Sequence, residues 1–221
     1  QENINKFSKL KLKDLEILYS NGIVFSFDEK SKVVSIKKNK PFARVLIQNQ
    51  RLENWTINFT DLTNINDQVY NKSIFTDLNG LTGCLSLYNT ELDDVSINIE
   101  NSKCEDGLNI IKSYGHIKHI KINDSISDAL DFDFSDVSID KIDIQNASND
   151  CTDFSYGTYY IKYLHVVYCA DKGLSVGENS IVNLEKFNSE AVNIGVASKD
   201  SSTVEINYST IDKAKNCYSL Y

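Results

Sequence analysis

Asp106-Gly107-Leu108-Asn109-Ile110 is answered by Asp128-Ala129-Leu130-Asp131-Phe132, then by Asp150-Cys151-Thr152-Asp153-Phe154 and Lys172-Gly173-Leu174-Ser175-Val176, each 22 residues after the one before. A second apolar set keeps the same step: Ile117, Ile120 and Ile122; Ile139, Ile142 and Ile144; Ile161, Leu164 and Val166. Ile194-Gly195-Val196 continues the first set, and Cys217 to Leu220 opens a sixth coil. Self-similarity at a fixed period of about 20 to 30 residues is the mark of a solenoid. Each unit carries two or more short β-rich runs and no helical pattern, and the Leu-x-x-Leu-x-Leu block of leucine-rich repeats is absent. The expected fold is all-β: a right-handed parallel β-helix with coils of 22 residues stacked about 4.8 Å apart, its hand following the general preference of parallel crossovers.

Strand alternation gives the stack an inside and an outside. Leu108, Leu130, Thr152, Leu174 and Val196 point in, as do Ile110, Phe132, Phe154 and Val176. Asn109, Asp131, Asp153 and Ser175 point out, followed by Asp133 and Ser155. Asp106, Asp128, Asp150 and Lys172 stand where the chain enters the strand.

Upstream the pattern changes. Leu10, Leu12, Leu15, Leu18 and Tyr19 mark one face of a Lys-rich stretch and predict a helix, stopped at Asn21-Gly22. Ile23 to Phe27 and Val33 to Ile36 alternate around a polar turn and predict a hairpin. Residues 1–45 are therefore expected to be an N-terminal cap of helix and hairpin over the open end of the solenoid, with the β-helix over 46–221. Asn, Asp and Ser cluster between the runs, where left-handed turns are needed.

The 221 residues carry a formal charge of −8, and only Arg44 and Arg51 are arginines. No basic stripe exists to track phosphates, so nucleic acid is not an expected partner. No apolar run is long enough to span a membrane. The chain begins at Gln1 without a signal-peptide pattern, which suggests that upstream residues were removed; cell surface, periplasm or the secreted compartment is the expected place. Of five cysteines none forms a CxxC pair, which argues against a zinc cluster or a dithiol redox site. Cys84 and Cys104 can lie on adjacent coils, but all five read as small apolar residues of the stack, and an odd number excludes complete pairing. The chain stops inside its last coil, so either a second copy of the chain or a further domain is expected over that end.

Carboxylates stacked about 4.8 Å apart repel by roughly 3 kcal/mol at an effective dielectric of 20. Hydrogen bonds from turn N–H groups, a shared proton, or a cation such as Ca²⁺ would offset this. Asp106, Asp128 and Asp131 are the candidate Ca²⁺ ligands. Strand interiors avoid aspartate, which makes Asp131 and Asp153 the less expected members. His116, His119 and His165 are read as outward and solvent-facing.

Asn149-Asp150-Cys151, with Asp128 one coil earlier and Cys169-Ala-Asp-Lys172-Gly-Leu-Ser-Val-Gly177 one coil later, resembles the active-site region of polygalacturonases, right-handed β-helices that hydrolyse pectin with inversion. The resemblance covers about 50 residues. It implies that Asp128 and Asp150 are catalytic acids. Asn149 stands where that family has a further Asp, Lys172 where it has His, and Lys199 is the nearest counterpart of its cationic substrate clamp. More broadly the chain looks like the bacterial repeat proteins of the pectate-lyase-like superfamily, which implies hydrolase, lyase or epimerase chemistry. The expected site is thus a column with Asp128, Asp150, Asp153 and Lys172 as catalytic groups and Asp131, Tyr156, Tyr159 and Lys199 holding a polysaccharide or oligosaccharide. The alternative is a non-catalytic interaction module of the cell surface or of polysaccharide assembly.

Overall fold

The computed structural model describes residues 7–64 and 80–221, and all the regular structure in them is β. Two rows of parallel strands wind into about eight coils. The short-strand row contains β5 (Val45–Gln48), β8 (Gly83–Tyr88), β10 (Asp106–Ile111), β12 (Asp128–Asp133) and β14 (Thr152–Ser155), then residues 172–177 of β15 (Thr158–Gly177), 194–198 of β16 (Ile181–Ser198), and β18 (Asn216–Leu220). The long-strand row runs from β4 (Val33–Lys38) through β7 (Thr56–Asp61), β9 (Glu91–Ser102), β11 (Tyr114–Ser125) and β13 (Asp136–Ala147) to the first parts of β15 and β16 and to β17 (Thr203–Asp212). The register reproduces the 22-residue step: Asp106 faces Asp128, Leu108 faces Leu130, and Ile117 faces Ile139. At one place the step is 40, Val45 facing Leu85 and Asn58 facing Asn98, and part of that longer connection lies outside the described residues.

The expected inward columns are the core. Leu108, Leu130, Leu174, Val196, Ile110, Phe132, Phe154 and Val176 are all buried, each worth about 1.5–3 kcal/mol relative to exposure. The Phe132 and Phe154 rings stack at 5.2 Å and 8°. Thr152, the polar member, stays inside because its hydroxyl donates to Gly173 O at 2.9 Å.

The N-terminal helix is not there. Residues 8–19 form an antiparallel pair, β1 (Ser8–Lys11) with β2 (Glu16–Tyr19), and β2 pairs in turn with β5. Leu12 N–H donates to Leu15 O at 2.8 Å across the turn at Lys13-Asp14. The three-residue spacing that imitates a helical period is the width of this turn, with Leu15 and Ile17 then alternating inward as strand residues do. The hairpin is present: β3 (Ile23–Asp28) pairs antiparallel with β4. Parallel stacking begins already at β4, which lies on β7.

Four cysteines are bonded, against their reading as free apolar fillers: Cys84 to Cys104 and Cys151 to Cys169, with Cα–Cα distances of 5.4 and 5.5 Å. Each closes a loop of about 20 residues and removes unfolded-state freedom worth about 3 kcal/mol. Cys217 is free and exposed. Beside the first disulfide lies a fully buried ion pair, Lys38 Nζ to Asp61 Oδ2 at 2.5 Å. Burial pushes the Lys38 ammonium down to about 8 despite the attraction of Asp61. Among the described residues no helix is long and apolar enough to cross a membrane.

Candidate functional site on the acidic face

The outer side of the short-strand row carries three parallel columns. The first is Asp106, Asp128, Asp150 and Lys172. Asp106 is buried and its carboxyl is hydrogen-bonded to Thr82. Asp128 Oδ1 accepts the Asp150 N–H at 2.8 Å, and Asp150 Oδ1 accepts the Lys172 N–H at 2.9 Å. Lys172 Nζ sits 3.2 Å from both Asp150 oxygens and 2.6 Å from Asp171 Oδ2. Burial works against its charge, but Asp171 and Asp150 outweigh that and hold the ammonium above its ordinary value. Asp128 and Asp150 each fix the backbone of the next coil, and the lysine ends the ladder. Asp128 and Asp150 therefore have a structural task that accounts for their recurrence.

The second column is Asn109, Asp131, Asp153 and Ser175, in register on β10, β12, β14 and β15. Asn109 Nδ2 donates to Asp131 Oδ2 at 2.6 Å and to Asp133 Oδ2 of the third column at 3.3 Å. Asp131 and Asp133 are hydrogen-bonded to each other. Burial, reinforced by the neighbouring carboxylates Asp106, Asp133 and Asp153, holds Asp131 well above the usual carboxylate range. Burial likewise raises Asp133. Asp153 is raised to about 6, by burial first and by Asp150, with Lys199 opposing. Asp128 is also pushed up to about 6, mainly by burial. Among the described residues Asn109 Oδ1 is buried without a hydrogen-bond partner, while the Asp153 carboxyl lies against the Ser175 hydroxyl.

The third column is Asp133, Ser155 and Gly177. The Ser155 hydroxyl donates to Glu178 Oε2. Lys199 reaches back over Gly177 to place Nζ 4.0 Å from Asp153 Oδ2. A Cβ at Gly177 would stand 2.9 Å from Lys199 Cε, so the glycine leaves room for that path.

The predicted residues thus divide. Asp131, Asp153 and Lys199 converge, joined by Asp133 and Glu178. Asp128, Asp150 and Lys172 form the backbone-fixing ladder beside them. Tyr159 is misplaced in the expectation: it is fully buried between Phe132 and Phe154, at 5.5 and 4.7 Å, with its hydroxyl donating to Ser155 O at 2.9 Å. It cannot face a sugar. Tyr156 is exposed, with its ring stacked on Phe134 at 4.6 Å, a coil below. The Ca²⁺ ligand set of Asp106, Asp128 and Asp131 does not fit. Asp106 and Asp128 already turn to Thr82 and to the Asp150 N–H, and among the described residues no three His, Cys, Asp or Glu side chains converge on a metal position.

Asp133 lies outside the site expected from sequence because its recurrence breaks at Ser155 and Gly177. Its placement two residues beyond Asp131, on the same outer side, was the available signal. The histidines do face outward, but not bare to solvent. His119 Nε2 is 2.8 Å from Asp143 Oδ2, and His116 is held between Asp94 and Asp140 in a concave bend of the long strands.

No family model matches the chain, and no curated protein and no solved structure matches it either.

Proposed function

We propose that this chain is a polysaccharide-active β-solenoid whose acid–base work is done by Asp131, Asp133 and Asp153 with Lys199. The observation that supports this best is the carboxylate cluster on the outer face. Asp131 and Asp133 share a hydrogen bond and burial holds both above the usual carboxylate range, while Asp153 beside them is raised to about 6, so carboxyls of raised proton affinity stand side by side on a rigid sheet. A protonated carboxyl can deliver a proton to a glycosidic oxygen, and an ionised neighbour can accept one from water or from a carbon next to a carboxylate. The Lys199 ammonium stands at hand to balance charge that develops there.

The finer reading, a right-handed helix of the pectate-lyase-like kind from a bacterium, belongs to this proposal and rests on the sequence resemblance. Within it the site moves from the Asp128–Asp150 pair to the adjoining column. Two disulfides fit an oxidising compartment, such as the cell surface, the periplasm or the exterior.

A screen of acidic and neutral polysaccharides tests the reading, with wild type beside Asp131→Asn, Asp153→Asn and Lys199→Ala. Turnover should fall in all three, and the limb of the pH–rate profile near 6 should vanish in Asp153→Asn. A wild type that neither cleaves nor binds any polymer removes the proposal. The ladder favours a second reading, a non-catalytic module whose acids only brace the coils. That reading expects polymer binding without turnover, and Asp128→Asn and Asp150→Asn proteins that melt earlier while binding unchanged.

A further inference from the structure

A concave surface lies on the long-strand row, away from the acidic columns. It is a groove of about 340 Å³ at the bend where two outward residues separate inward ones, within the size range of small-ligand sites. His116, Ser138, Tyr160, Asn183 and Glu205 succeed one another in register along it. Four coil steps give it a length of about 19 Å.

Its cations are already engaged. His116 Nδ1 is 2.5 Å from Asp94 Oδ1 and its Nε2 is 3.2 Å from Asp140 Oδ1, while Lys162 Nζ is 2.7 Å from the same Asp140 oxygen. Its other acids are not. Glu205 is exposed and makes no hydrogen bond or ion pair among the described residues, and the exposed Glu185, though it lies in the field of Lys162, makes no direct ion pair among them. Between these two groups stands Tyr160, 58% exposed. The Asn183 and Asn207 amides line the same stretch without hydrogen bonds among the described residues.

We propose that this groove is a saccharide-binding site for a glycan that carries free amino groups. A flat, exposed ring suits the apolar face of a pyranose, and its OH stays wet. Free amides can both donate to and accept from sugar hydroxyls. The exposed carboxylates of Glu205 and Glu185, with Lys162 already drawn to Asp140, repel uronates and attract ammonium groups, which selects an amino sugar. A bare metal ion is a poor occupant, since no three ligating side chains converge here among the described residues. The groove stands apart from the acidic face, so the inference holds whether or not that face is catalytic.

Calorimetric titration of the full chain decides it, using a glucosamine hexamer, its fully N-acetylated counterpart, a galacturonate hexamer and pentalysine. The glucosamine hexamer should bind, and the N-acetylated one should bind several-fold more weakly. Glu185→Gln and Glu205→Gln should each weaken the amino form about threefold, the range of an exposed ion pair, and leave the N-acetylated form unchanged. Tyr160→Ala should weaken both by about tenfold, a loss of stacking area. All three positions are surface-exposed, and unchanged melting curves will show that the variants fold. The proposal is overturned if the amino form does not bind, if the N-acetylated or galacturonate hexamer binds as tightly as the amino form, or if pentalysine does so and marks the groove as a peptide site. It is also overturned if Asp131→Asn and Asp153→Asn abolish binding while the groove variants do not, which would assign the ligand to the acidic face. Loss of turnover by the acidic-face variants with groove binding intact would separate the two sites.

Discussion

Asp153 carries the sharpest residue-level consequence. Its carboxyl is raised from an ordinary value near 3.8 to about 6, chiefly by burial. Keeping it ionised at pH 7 in the fold therefore costs on the order of 3 kcal/mol. Because the folded value lies above the unfolded one, the fold binds this proton more tightly. The group's stabilising contribution is present below about pH 4 and is lost as pH rises through 6. Asp153→Asn should thus stabilise the protein at pH 7 by about 1–3 kcal/mol, with the gain fading below pH 4. Urea unfolding of both proteins at pH 4, 6 and 7.5 measures this. A mutant no more stable at 7.5 than at 4, relative to wild type, would refute it. Lys38 and Asp61 give the opposite case. Removing Asp61 leaves an ammonium in the core beside Arg44, so Asp61→Ala should destabilise by about 3–5 kcal/mol, read as a drop in the urea midpoint with an unchanged slope.

At the scale of the element, corners decide what fits. The column Thr90, Ser113, Ser135, Ser180 and Ser202 turns the chain out of the short-strand row. Thr90 Oγ1 is 2.9 Å from Ser113 Oγ, and Ser113 N–H donates to Ser135 Oγ at 3.0 Å. Gly157 replaces serine in this column because the Ser135 carbonyl and, behind it, the Tyr159 ring leave no room for a side chain. A Cβ there would meet Ser135 O at 2.1 Å and Tyr159 Oη at 2.6 Å. Gly157→Ala should cost about 1–3 kcal/mol through overpacking, visible as a fall in melting temperature, and Gly157→Ala in a Tyr159→Phe background should cost about as much, since the Ser135 carbonyl stays in place. These corners also show what sequence could and could not disclose. Left-handed residues at Asn89, Asn101, Asp124 and Asn146 were legible from residue type, since Asn and Asp tolerate that conformation. Lys112, Phe134, Tyr156, Tyr168 and Ala191 adopt it as well, because the stack imposes the corner whatever side chain is there. The inward columns were legible because β-strand alternation repeats every coil. The N-terminal strands were not, because a tight turn between Leu12 and Leu15 puts apolar residues at helical spacing. In the acidic face the columns were legible, but their division of labour was not. Whether an aspartate accepts a backbone N–H, like Asp128, or is held above the usual carboxylate range, like Asp131, depends on its burial and on neighbours one coil away.

The whole molecule is quasi-one-dimensional, so its stability is a sum over coils and the interfaces between them. The interior coils have both neighbours: β11 and β13 are flanked on each side, and Ile117, Ile120, Ile139 and Ile142 are buried. The last described coil has one. β18 pairs with β16, and Val204, Ile206 and Ile211 on β17 are only partly buried. The disulfides lie at Cys84–Cys104 and Cys151–Cys169, and Cys217 in the last coil is unbonded. Local opening should therefore be graded along the stack rather than all-or-none. In this 221-residue chain the amides of β17 and β18 should exchange with solvent at least about a hundredfold faster than those of β11 and β13. Reduction should speed exchange in β14 and the second half of β15 more than in β17, since the Cys151–Cys169 bond ties the former and not the latter. Peptide-resolved hydrogen–deuterium exchange, with and without reductant, reads both effects. Uniform protection from β9 to β18 would mean that the coils open as one cooperative unit, and the additive picture of the solenoid would have to be abandoned.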